Sequence, residues 1–356
     1  MLSLITQISR EPAAPLRLWL RTTGDKLRPP HPTPHRATVR HRQDRVLADG
    51  AAGPHQCSTI LVEPRAGAQP TIVVGGFVPD AKESVYLLRG GLLQQGSLYY
   101  FSYPRRGFSL ALFLAQLEDL IEEAAATHRR PPVLFGVSFG AGLVIELLRR
   151  GAARGRTLAV AGLILVSPVA CVEDLLDPAA PKPTTLLGRV IKPYLDSTGP
   201  ADETIVERSR TVFLKMFESG AQNRAALRLL LTRRETGQLR DAVLATINAI
   251  EPAAARERVC ALRELAAPGE PRVLSPAPAL ILFSEKESAV LREGAPMARE
   301  LRTRPTAWFP RGRCLSVSNH ADHPVQHASL IFHVRNFEPP IAAFYRSLRQ
   351  AQRRAA

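Results

Sequence analysis

In "PPVLFGVSFGAGLVIELLRR", Pro131 to Arg150, an apolar run stops at one serine with a glycine two positions to either side, Gly136-Val137-Ser138-Phe139-Gly140. A helix-like pattern follows at once. The spacing has a steric meaning. A chain that turns sharply from strand into helix holds its apex residue in a strained conformation, and side chains two positions away would collide there. The apex hydroxyl then stands clear of its neighbours. The amide of Phe139 opens the new helix, where unpaired N–H groups and the helix dipole favour an anion. That combination suits nucleophilic attack by the Ser138 hydroxyl, with the Phe139 N–H as one donor to the negative charge that develops. A serine hydroxyl is a weak nucleophile near neutral pH, so a base must take its proton and an acid must orient that base.

Histidines gather in one stretch, "SNHADHPVQHASLIFHVRNF", which holds His320, His323, His327 and His333. His320, His323 and His327 lie three and four apart, a spacing that on one helix face could hold zinc with an open position. Pro324 inside the run discourages a helix, and no His-Glu-x-x-His pattern is present, so a base for Ser138 is the preferred reading and no metal or organic cofactor is expected.

Such side chains need elements to hold them. "PTIVVGGF", "SLYYFSYP", "PVLFGV", "LAVAGLILVSP" and "ALILFSE" read as strands, and "TAWFP" as a last one. Between them "KESVYLLRGGLLQQG", "SLALFLAQLEDLIEEAAATHR", "FGAGLVIELLRRGAARG" and "AVLREGAPMARELR" have helical spacing, and "PPIAAFYRSLRQAQRRAA" closes the chain as a helix. Near the start, "ATVRHRQDRVLAD" and "CSTILVEP" around "GAAGPH" predict a β-hairpin. Strands alternating with helices predict an α/β fold with a mostly parallel central sheet flanked by helices. The alternation stops near Asp174. Helical patterns such as "ETIVERSRTVFLKMF", "RAALRLLLTRR" and "LRDAVLATINAIEPAAARERVCALREL" then run to about Pro271. The expected organisation is therefore an arm and proline-rich linker over 1–36, a core over 37–174 and 272–350, a helical insertion over 175–271 and a basic tail over 351–356.

Composition narrows the classes. The 356 residues carry a formal charge of +15, but the basic residues are scattered and only 6% of residues are aromatic, so a nucleic-acid partner is not expected. Cys57, Cys171, Cys260 and Cys314 are far apart and read as single thiols in a reducing compartment. The N-terminus lacks the core of a signal peptide, and no apolar run reaches the length of a membrane span, so a cytoplasmic location is expected. Leu4, Ile5, Ile8, Leu16, Trp19 and Leu20 fit an amphipathic arm packed on the domain. Peripheral contact with an anionic membrane surface is its sharper alternative.

The chain resembles the α/β-hydrolase fold over roughly residues 37 to 350. The resemblance is carried by "TIVVGGF", by "YYFSYPRRGFS" and by Ser138 at the turn between strand and helix. It implies that Ser138 is the nucleophile, that the amides of Phe77 and Phe139 form an oxyanion hole, and that acid and base follow in that chain order. It also implies that the helical insertion is a lid. Gly75-Gly76 stands where many members have His-Gly, a change that leaves the backbone donors intact. After "PALILFS", Glu287 matches the acid position, against a reading of Glu285 and Glu287 as solvated loop charges, with Asp174 as the fallback acid. His327, which opens "HASLIF", matches the base, with His320 as the alternative. The implied activity is hydrolysis of a small-molecule carboxylic ester or thioester. An acyltransferase with the same residues, or a binding protein that uses the fold without chemistry, are the alternatives.

Overall fold

The computed structural model describes residues 31–355 apart from 68, 198, 200–202, 224–226 and 320–322, together with residues 18, 20, 21 and 23. Eight strands form one sheet: β1 (Thr33–Pro34), β2 (Thr59–Glu63), β3 (Thr71–Val74), β4 (Leu98–Ser102), β5 (Val133–Val137), β6 (Gly162–Val166), β7 (Ala279–Ser284) and β8 (Gly312–Val317). Their order across the sheet is β1-β2-β4-β3-β5-β6-β7-β8. Only β2 runs against its neighbours; β4 through β8 are parallel.

The central strands read as unbroken apolar runs because both of their faces are covered. Every residue of β3, β5, β6 and β7 is buried. The two faces separate along each strand with period two. On β3, Ile72 and Val74 pack into one core with α4 (Leu110–His128) and α5 (Phe139–Ala153), while Val73 packs into the other with α12 (Val334–Ala355).

Three expectations are corrected by the fold. "HRQDRVLA" is not the first strand of a hairpin but helix α1 (His41–Ala48). Its N-terminal amides, Arg42 and Gln43, donate to the Asp119 carboxylate on α4, so its cap comes from 76 residues away and no local signal announces it. On its outer side β2 pairs instead with β1, inside the proline-rich stretch, on an edge where proline costs no ladder bond. "KESVYLLRGGLLQQG" is two short helices, α2 (Ala81–Ser84) and α3 (Arg89–Leu93). "TAWFP" is not a strand. Pro305 at the first helical position starts α11 (Pro305–Trp308), after α10 (Pro296–Thr303), and the strand is the more polar "GRCLSV" of β8.

Between β6 and β7 the described chain has no strand, only helices: α6 (Leu186–Asp196), α7 (Glu203–Gly220), α8 (Arg233–Asn248) and α9 (Pro252–Cys260). Pro252 splits what reads in sequence as one long helical pattern. Most of the N-terminal arm, including Leu4, Ile5, Ile8, Leu16 and Trp19, lies outside the described residues. Arg21 is within them and pairs with Glu235 on α8 at 2.8 Å. Among the described residues no helix is long and apolar enough to cross a membrane.

Candidate active site

The parallel strands all point their carboxyl ends to one edge of the sheet, and the chemistry-bearing residues emerge there. This is where open α/β sheets bind ligands. Gly75 and Gly76 follow β3, Ser138 follows β5, Ser167 follows β6 and Ser284 ends β7.

Ser138 sits at φ 51°, ψ −117°, a conformation that costs a non-glycine residue of order 1–3 kcal/mol and needs support around it. The support is visible. Its N–H donates to the Val166 carbonyl at 2.8 Å, and its carbonyl accepts from Val169 at 3.1 Å. The flanking glycines are required by close approach. A Cβ on Gly136 would lie 2.5 Å from the Ala141 Cα, and one on Gly140 would lie 2.1 Å from the Gly75 carbonyl oxygen. Four described non-glycine residues have positive φ, and three of them, Ser138, Ser167 and Ala328, meet at this site.

One hydrogen-bonded chain joins the predicted residues. The Ser138 hydroxyl lies 2.9 Å from His327 Nε2, and His327 Nδ1 contacts the Glu287 carboxylate. Both ring nitrogens of His327 are thereby engaged. The other Glu287 oxygen accepts from the Ser167 hydroxyl at 2.7 Å and the Ser284 N–H at 2.6 Å. Burial alone would raise the pKa of Glu287. The charge and hydrogen bond of His327, with the Ser167 and Ser284 donors, outweigh it and hold the carboxyl below its ordinary value of 4.5. The carboxylate therefore stays ionised and keeps the proton of His327 on Nδ1, leaving Nε2 free to accept.

The competing acids, Glu285 and Asp174, hold other groups. Glu285 accepts from the amides of Asn319 and Val325 at 3.2 and 3.4 Å and braces the loop. Asp174 is fully buried and accepts from Ala170 and from Met297 in the first turn of α10, both at 3.0 Å. Burial raises its pKa above the ordinary 3.8. His333 is buried too, with Nδ1 3.0 Å from the Ser329 hydroxyl, and burial lowers its pKa. His320 lies outside the described residues. Among those described, no group of three His, Cys, Asp or Glu side chains could hold a metal ion.

Phe77 and Phe139 face one another with their rings stacked 4.2 Å apart. Among the described residues neither backbone N–H donates to another protein group. A Cβ on Gly76 would come within 3.3 Å of the Ser138 Cβ, so the loop after β3 passes close beside the serine. Ser138, His327, Gly76 and Phe77 line a cavity of about 240 Å³, whose other wall is Leu187, Phe213, Met216 and Phe217 from the helices between β6 and β7. Phe77, Val78 and Phe213 also line a narrower apolar chamber of about 50 Å³ among α6, α7 and α9.

Ser167 and Ser284 were not legible as site residues. A signal existed: each stands at the carboxyl end of a parallel strand adjacent to another, where side chains reach the site.

No protein-family model matches the chain, and no curated protein sequence matches it. Solved structures do. An esterase from Thermogutta terrifontis with malate bound is 17% identical, with a TM-score of 0.51, over 82% of this chain and 94% of the other. A bromoperoxidase from Bacillus anthracis is 16% identical, with a TM-score of 0.52, over 81% and 96%. A meta-cleavage product hydrolase from Pseudomonas fluorescens is 15% identical, with a TM-score of 0.52, over 82% and 95%. The chain has the α/β-hydrolase fold. In this α/β-hydrolase fold the strand order, the turn at Ser138 and the helices inserted between β6 and β7 form one architecture, with the cavity between sheet edge and insertion.

Proposed function

We propose that the protein is a serine hydrolase that cleaves a carboxylic ester or thioester through an acyl-enzyme. The observation that carries this reading is the Ser138 hydroxyl at 2.9 Å from His327 Nε2 on the wall of the cavity. Ser138 Oγ attacks the acyl carbonyl carbon and its proton passes to His327 Nε2. Glu287 stabilises the imidazolium that results. The amides of Phe77 and Phe139 hold the oxyanion of the tetrahedral intermediate. Collapse breaks the bond to the leaving alcohol or thiol, which takes the proton from His327. Water, deprotonated by His327, then attacks the acyl-enzyme and frees the acid and Ser138.

The apolar walls favour an acyl group of aliphatic or aromatic character, and the chamber past Phe213 favours a tail that is narrow. The helices between β6 and β7 act as a lid that closes over it. Solved esterases and a hydrolase of the same fold support the reaction class. Turnover of a series of p-nitrophenyl esters of increasing chain length tests the reading, with Ser138→Ala beside wild type. Hydrolysis that vanishes in the variant is the expected result. Equal rates from both would sink the proposal.

A further inference from the structure

We propose that Arg258, carried by the helical insertion, is a positioning residue for the oxyanion loop, holding the Phe77 amide in the orientation the reaction needs. The proposal rests on the reading of Ser138, Phe77 and Phe139 given above. It begins with a loop that is intrinsically loose. Gly75-Gly76 is the least restrained kind of dipeptide, and nothing local fixes where the following amide points. An oxyanion donor, by contrast, works only if it is aimed in advance.

The two peptides that flank the Phe77 N–H are both pinned. The Gly75 carbonyl accepts from the Tyr103 hydroxyl at 2.7 Å. The Phe77 carbonyl accepts from Arg258 Nη1 at 3.2 Å, and Nη2 of the same guanidinium donates to the Pro104 carbonyl at 3.0 Å. The guanidinium also lies over the Tyr103 ring, 4.5 Å from its centre, so the two pins brace each other. One planar fork thus ties the loop after β3 to the loop after β4. A lysine could not reach both carbonyls with the same geometry.

Packing alone does not explain this residue. Arg258 is 2% exposed, and among the described residues no carboxylate lies within ion-pair distance of it. Burial lowers its pKa to about 10, which leaves it cationic at neutral pH. A buried cation without a paired anion is costly, and an apolar side chain of the same length would fill the space at lower cost. Next to it, Glu257 accepts from the Phe108 N–H at 2.6 Å, so this end of the insertion is docked on the core by two consecutive residues. The element that docks the insertion on the core therefore also holds the peptide after Phe77.

The test compares wild type, Arg258→Met, Arg258→Lys and Ser138→Ala, with kcat expressed per active site titrated by a fluorophosphonate and a melting curve for each. Titration removes the trivial effect of a smaller folded fraction. Arg258 also lines the chamber past Phe213, so the kinetics are read with an acetyl ester too short to enter it. Arg258→Met is expected to lose kcat by roughly 10- to 100-fold, short of what deleting an oxyanion donor costs, with KM little changed. Arg258→Lys, which keeps the buried charge and loses the fork, should fall between. Unchanged kcat per titrated site in Arg258→Lys would overturn the proposal, and remains decisive if Arg258→Met does not fold. An inactive wild type, no faster than Ser138→Ala, would instead bring down the hydrolase reading and this inference with it.

Discussion

The polar side chains around Ser138 are held by hydrogen bonds that leave them little freedom to turn elsewhere. Glu287 is the clearest case. It receives His327, Ser167 and the Ser284 amide, whereas Asp174 receives the amides that open α10. The two buried acids should separate cleanly on substitution. Glu287→Gln keeps the shape and loses the charge, and steady-state kinetics should show kcat reduced by on the order of 10⁴ with the fold intact. Asp174→Ala should leave kcat per titrated site close to wild type while lowering unfolding free energy by about 2–3 kcal/mol, since the buried amides of Ala170 and Met297 lose their acceptor. At this scale the sequence was informative where chemistry dictates residue type. Ser138 is announced by glycines at fixed offsets, and Glu287 and His327 by their place after recognisable strands. Ser167, Ser284 and Arg258 carry no such mark, because a small hydroxyl or a lone arginine is common and its partner is distant in sequence.

Strands and helices were legible to the degree that their cause is local. The buried parallel strands are continuous apolar runs, and α4 and α5 have the spacing of helices packed on them. Helix α1 was misread because its cap is the Asp119 carboxylate, and β8 because its polar edge residues hide a strand that the sheet imposes. Glycines sort the same way. In α5, Gly140 faces backbone: an added Cβ meets the Gly75 oxygen at 2.1 Å and the Val74 oxygen at 2.5 Å, and neither can yield. Gly140→Ala should lower the unfolding free energy by about 3 kcal/mol or more, read from the denaturant midpoint. Gly237 in α8 has nothing within 4 Å of its added Cβ. Gly237→Ala should raise stability by about 0.5–1 kcal/mol in the same assay.

For the whole molecule, the buried and paired acids set how stability follows pH. Glu287, Glu123 and Glu235 have pKa values below the ordinary 4.5; burial opposes the shift in each, and partners at His327, Thr38 and Arg21 respectively outweigh it. Their stabilisation is full above 4.5 and is lost as pH falls through the lowered values. Glu83 and Asp174 are raised, burial being the largest cause, so their contribution is present when protonated and is lost as pH rises through the raised values. Burial lowers His333 and His128, whose contribution shrinks as pH falls through the ordinary 6.5 and opposes that gain, so the sign is set where the lowered acids titrate: a melting-temperature series should drop below about 4.5. A melting temperature that holds or rises as pH falls below about 4.5 would contradict it. Alternation of strands and helices made the fold class readable, and the place where that alternation stops marked the insertion; how the insertion seats on the core depends on Arg258 and Glu257 meeting residues some 150 or more positions away.

The central claim is that Ser138 is an activated nucleophile, and labelling with a fluorophosphonate followed by peptide mass spectrometry tests it most directly. Wild type should take one label, located on Ser138. Ser138→Ala should take none, and His327→Ala should label far more slowly while folded. A folded wild type that stays unlabelled, or a label on another residue that persists in Ser138→Ala, would contradict the account.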